Sequence, residues 1–170
     1  EKPPGRTLQD IRRIVAAEQR HAGSKLVFGF NHRYHPGITD AKALADSGAL
    51  GRILTLRGVY GKSGGEGFEQ SWRNDPTQGG GGILLDQGIH MLDLFRLFCG
   101  EFDEVIGLLG GGYWDIPVED NAMVLLRNRG GQIAQLHTSA TSWKHTFRLE
   151  IGLERGYLVV SRLQSKTGSY

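Results

Sequence analysis

The residues with the most chemical potential sit close together in the chain. In Gly80-Gly81-Gly82-Ile83-Leu84-Leu85-Asp86-Gln87-Gly88-Ile89-His90-Met91-Leu92-Asp93, an imidazole follows a carboxylate by four positions, and a second carboxylate follows three later. On an α-helix those offsets place all three in one narrow stripe. The remaining positions, from Ile83 through Leu92 to Phe98, are apolar nearly all round, which predicts a buried helix over Gly81–Phe98. Unpaired polar groups are costly there, so a cleft is expected to face them. The preceding glycines leave room for another backbone or a ligand at the helix N-terminus. The partial positive charge of that end would lower the pKa of Asp86, and the neighbouring carboxylate would raise that of His90. An acid–base histidine with a supporting aspartate is one reading; a buried Asp–His pair that satisfies itself is the other. Metal ligation is a third, but no third ligand stands at a telling spacing.

The elements that must position these residues follow from local pattern. Thr7 is a candidate N-cap for a helix with Leu8, Ile11, Ile14 and Val15 on one face, ending at Gly23. Lys25 to Phe30 reads as a short buried strand, and Pro36 starts a second helix that stops near Gly48. Ile53 to Tyr60 alternates as a strand should, and Lys62 to Gln78 is a polar, glycine-rich loop long enough to be functional. Beyond the apolar helix, strand-like runs near 103–113, 118–127, 132–141, 146–153 and 157–162 are separated by turns such as Arg129-Gly130-Gly131. This order predicts an α+β fold, a largely antiparallel open-faced sheet with helices on one face.

Composition narrows the function. A chain of 170 residues suits one domain with a real core, and the net charge of +2 with scattered Lys and Arg gives no nucleic-acid footprint. No apolar run reaches membrane-spanning length and no signal-peptide pattern opens the chain, so no membrane partner is expected. The single Cys99 fits a reducing compartment, with the cytoplasm as the default. The 26 glycines cluster at Gly64-Gly65, Gly79–Gly82 and Gly110–Gly112, which marks tight loops rather than a fibrous chain.

The run Gly80–Asp93 resembles the G-G-G-x-x-x-D-x-G-x-H-x-x-D signature of the Gfo/Idh/MocA oxidoreductases. Glu1-Lys2-Pro3 is similar to that family's E-K-P motif, Val27–Tyr34 to its v-G-f-N-x-R-f segment, and Phe147–Gly152 with Gly156 to a late hairpin. Trp72-Arg73 ahead of the glycine run is also common there. The resemblance implies that residues 1–32 are the end of a dinucleotide-binding Rossmann domain and residues 33–170 a substrate-binding, catalytic domain that stops early. It implies NAD or NADP as cofactor, with Glu1, Lys2 and Pro3 at the nicotinamide pocket, and Lys2, Asp86 and His90 as the catalytic set. Trp72, Arg73, Asp86 and His90 would contact substrate, and Asn31 and Arg33 would sit at the domain junction. Asp93 is expected to hold the helix or its neighbour in place.

The departures matter as well. No G-x-G-x-x-G occurs, and Gly61-Lys62-Ser63 fails as a phosphate loop because Leu56 stands where a glycine is required. The expectation is therefore a piece of a longer enzyme, with the diphosphate site upstream of Glu1. The apolar faces of the first helix and the Val27 run should then be exposed or covered by another chain, and subunits should pair through the sheet face. The expected activity is NAD(P)-dependent hydride transfer to or from a secondary alcohol of a sugar or cyclic polyol. An NAD-dependent glycosidase on the same scaffold and a non-catalytic dinucleotide or sugar sensor are the alternatives. Tyr113-Trp114 and Trp143-Lys144-His145 are candidate sugar-stacking residues, with packing roles as the competing reading. His137 and His145 are expected on adjacent strands, and Asp120 and Asn121 at the turn that opens a strand.

Overall fold

Five runs of alternating apolar and polar residues and one earlier strand build a single sheet. In the computed structural model, which describes residues 1–21, 23–165 and 168–169, the strands are β1 (Ile53–Gly61), β2 (Glu104–Gly110), β3 (Asn121–Arg127), β4 (Ile133–Ser139), β5 (Thr146–Leu153) and β6 (Gly156–Ser161). They lie in the order β2-β3-β4-β1-β5-β6. β1 runs parallel to β4 and antiparallel to β5, and the other pairs are antiparallel. A short ribbon, Gln164–Ser165 with Gly168–Ser169, follows.

The period of two decides which face is buried. Leu56, Tyr60, Val124, Leu126, Ala134, Leu136, Phe147, Leu149 and Ile151 point inward and form one core with the helices α2 (Pro36–Asp46) and α3 (Ile89–Cys99). α3 lies against β1 at Gly58, where a Cβ would come within 2.4 Å of Met91 Cγ and 2.8 Å of Phe95 Cζ. That glycine fixes how close the helix bearing His90 comes to the sheet. Among the described residues no helix is long and apolar enough to cross a membrane.

The first helix, α1 (Leu8–Arg20), has the expected Thr7 cap, closed into a capping box by Asp10. It buries none of its residues. Lys25 to Phe30 is not the buried strand its composition predicts: it runs extended without strand pairing, and Val27 is 77% exposed. A strand needs a neighbour to take its ladder of hydrogen bonds, and no strand runs beside this segment among the described residues. His137 and His145 are not on adjacent strands either, because β1 lies between β4 and β5.

The predicted Gly81–Phe98 helix is interrupted. Leu84–Gly88 winds as a π-helix before α3 begins, and the Ile89 N–H bonds to the Leu84 carbonyl, five residues back. The wider turn shifts Asp86 out of the α-helical register with His90 and Asp93.

Candidate active site

Three separate segments deliver cations to one carboxylate. Lys2 Nζ, from the extended N-terminal segment, donates to Asp86 Oδ1 at 2.8 Å and also to the Asp86 carbonyl. Lys62, directly after β1, donates to Asp86 Oδ2 at 2.9 Å. Arg73, in a 3-10 turn at Trp72–Asn74, brings its Nε to 3.6 Å from Oδ1 and stacks its guanidinium on Trp72. Burial alone would push the Asp86 carboxyl up, but the hydrogen bond from Lys2 and the charge of Lys62 hold it below its usual value. The expected lowering is present, and two ammonium groups produce it.

A cleft of about 410 Å³ opens beside this cluster, lined by Glu1, Lys2, Pro3, Trp72, Arg73, Gly79, Gly81, Leu85 and Asp86. The glycine run before Asp86 is spent on packing. Gly80 has φ +84° and lies against Arg6, while a Cβ at Gly82 would fall 2.0 Å from the Glu119 carbonyl oxygen. The Glu119 carboxylate accepts from the N–H groups of Gly82 and Leu84, both at 3.0 Å, so a side chain caps the start of the π-helical turn.

His90 is outside that lining, in contrast to the shared pocket that α-helical spacing predicts. It is 6% exposed and stacks on His32, ring centroids 4.0 Å apart, with the Phe30 ring edge-on at 6.0 Å. The π-helical turn is the reason: the carboxylate takes the cleft and the imidazole turns inward. Its Nδ1 is buried without a hydrogen-bond partner among the described residues. Burial first, and then Lys2, push the imidazole down to about 4, against smaller upward pulls from Asp86 and Asp93. The expected rise in pKa is therefore reversed, because desolvation outweighs the carboxylates.

His32, in a 3-10 turn at Asn31–Tyr34, is pushed further down, to about 3, by burial and then by His90. Its Nδ1 lies 3.0 Å from Asn31 Oδ1 and its Nε2 3.2 Å from the Tyr60 hydroxyl. Since Asn31 Oδ1 can only accept, Nδ1 carries the proton and Nε2 accepts from Tyr60. Asp93 holds α3 to the preceding turn, accepting from Arg33 Nε and Nη2, both at 2.6 Å.

The aromatic candidates divide. Trp114 packs inward on Phe68 and donates to the Ala140 carbonyl, and Tyr113 is exposed. Trp143 is 100% exposed, and His145 lies edge-on to Tyr60. Asp120 is buried, accepting from the N–H groups of Tyr113 and Trp114. Sequence reasoning missed Lys62, His32 and Glu119. Only the end of the β1 alternation marks Lys62, whose partner lies 24 positions away.

A model of the GFO/IDH/MocA C-terminal domain matches residues 38–159. The chain belongs to the Gfo/Idh/MocA family. Gfo/Idh/MocA relatives include levoglucosan dehydrogenase of Pseudarthrobacter phenanthrenivorans, 32% identical over 78% of this chain and 34% of that protein. 1,5-anhydro-D-fructose reductase of Ensifer adhaerens is 33% identical over 84% of this chain and 43% of that protein. A solved levoglucosan dehydrogenase in complex with NADH and levoglucosan superposes with a TM-score of 0.86 at 27% identity, covering 94% of this chain and 46% of that one. The chain thus spans less than half the length of these Gfo/Idh/MocA relatives.

Proposed function

We propose that this chain forms the substrate side of a nicotinamide-dependent oxidoreductase acting on a secondary alcohol of a sugar or cyclic polyol. The observation that carries the reading is the Lys2–Asp86 pair on the wall of a cleft, together with a buried imidazole, His90, whose Nδ1 has no hydrogen-bond partner among the described residues. Those residues fit the group implied by the family: Glu1, Lys2 and Pro3 would hold the nicotinamide end of NAD or NADP. The cofactor, when bound, supplies the hydride acceptor or donor. The named relatives, a levoglucosan dehydrogenase and an anhydrofructose reductase, support the substrate class.

Removing a hydride from the carbon of an H–C–O–H unit leaves the hydroxyl proton for the protein to handle. Lys2, anchored by Asp86, donates to the alcohol oxygen and stabilises negative charge developing there. His90, kept neutral by burial, has its Nδ1 without a hydrogen-bond partner among the described residues and serves as the acceptor of that proton. Trp72 and Arg73 rim the cleft and orient the ring of the substrate. Residues 1–32 read as the end of a dinucleotide-binding domain, a reading supported by the exposed apolar side chains of Leu8, Val15, Leu26 and Val27. The lone Cys99 suits a cytoplasmic setting.

The test is NAD(P)-linked oxidation, by the whole protein, of a panel of free sugars and cyclitols, with matched glycosides alongside. Oxidation of a free polyol that is lost in Lys2→Met is the expected result. Glycoside hydrolysis without net change in the cofactor would transfer the site to the glycosidase reading, and binding of dinucleotide with neither reaction would make it a sensor.

A further inference from the structure

Asp86 is held by a second lysine, Lys62. A carboxylate held by one ammonium can rotate, and its free oxygen can take up a proton. Here the two oxygens are divided: Oδ1 faces Lys2 at 2.8 Å and Oδ2 faces Lys62 at 2.9 Å. Lys62 is itself tethered on both sides. Its N–H donates to the Ser139 carbonyl, its own carbonyl accepts from the Ser142 N–H, and its ammonium lies 5.1 Å from the centre of the Phe68 ring. The backbone on which it rides is therefore fixed by β4 and the turn after it.

We infer that Lys62 is a positioning residue, which holds Asp86 Oδ2 so that Oδ1 stays ionised and aimed at Lys2. Its effect on turnover rests on the oxidoreductase reading, but its effect on Asp86 does not. The charged groups around the carboxylate come from every element packed against it: Lys2 from the N-terminal segment, Lys62 after β1, Arg73 from the 3-10 turn and His90 from α3, with Glu1 on the same cleft wall. Glu119 faces the Gly82 and Leu84 N–H groups at the start of the π-helical turn. Arg73 is half open to water and stands at 3.6 Å from Oδ1, on the side already taken by Lys2, so it cannot replace Lys62 at Oδ2. The lowered pKa of Asp86 includes both the charge and the hydrogen bond of Lys62 among its causes.

The experiment is a ¹³C NMR titration of the Asp86 carboxyl in the whole protein, with Asp86→Asn identifying the resonance. Lys62→Met should raise the Asp86 pKa and Lys62→Arg should restore it. The acid limb of kcat/KM should move upward in parallel, with kcat reduced on the order of tenfold and KM changed less. Should the Met variant fail to fold, Lys62→Gln, which keeps a neutral donor, serves in its place and should also raise the pKa. An Asp86 pKa equal to that of the wild type in the folded neutral variant overturns the proposal. A raised pKa in a protein that oxidises no alcohol keeps the positioning role and removes the oxidoreductase reading instead.

Discussion

Asp86, His90 and Lys2 differ in kind: one is a clamped anion, one a buried neutral ring, one an ammonium on a cleft wall. The two stacked imidazoles make a prediction at this scale. The folded pKa values of His90 and His32 are about 4 and about 3, below the ordinary 6.5. The unfolded chain therefore binds protons first as pH falls, and the stability these rings contribute is present above 6.5 and lost between 6.5 and about 3. The urea midpoint should drop across that window, and His32→Phe should shrink the drop; a midpoint independent of pH there would contradict the burial. Asp86, also lowered, adds a loss only at more acid pH, below the ordinary carboxylate value of 3.8. The sequence made Asp86 and His90 legible because polar residues on an apolar helix have few explanations. It could not show the sign of the histidine shift, which depends on the neighbours that desolvate it, Phe30 and His32 among them.

Elements were legible where period and punctuation agree. Thr7, Pro36 and the alternating strands gave boundaries within a few residues of those observed, since caps and side-chain alternation are local. The Lys25–Phe30 run misled because apolar composition does not supply a pairing partner, and the π-helical turn was invisible because nothing in Leu84–Gly88 distinguishes it from an α-helix. The glycine run before it was read as room for another backbone or a ligand, and at Gly82 it is a backbone carbonyl that fills the space. Gly82→Ala should therefore destabilise the protein by about 1–3 kcal/mol, read from chemical denaturation, because the obstructing atom is main chain and cannot swing away. Arg33→Met tests the other anchor of α3. It leaves the buried Asp93 without its bidentate partner and should cost about 3 kcal/mol. A loss below about 0.5 kcal/mol, the range of ordinary surface changes, would mean that Asp93 is relieved by water.

At the scale of the molecule, one face of the sheet carries the core and the other is bare. Ile106, Leu108, Met123, Leu125, Ile133, Tyr157 and Val159 are exposed on it, next to Arg57 and Gln135. An apolar surface of that extent favours pairing of subunits, so light scattering of the whole protein should find a dimer or larger, and Leu108→Glu should shift it toward monomer. The fold class and the open face were readable in advance; the order of the strands was not, because the parallel β1–β4 neighbours are joined through the Lys62–Gln78 loop, α3, β2 and β3. That long crossover is what carries Lys62 and Asp86 to the same place. On the proposed reading, the buried imidazole takes up the proton that the alcohol loses as the cofactor takes its hydride. Steady-state oxidation of the preferred polyol by His90→Ala should then show kcat reduced roughly 10²-fold or more with KM little changed. A kcat equal to the wild-type value would remove the imidazole from the reaction.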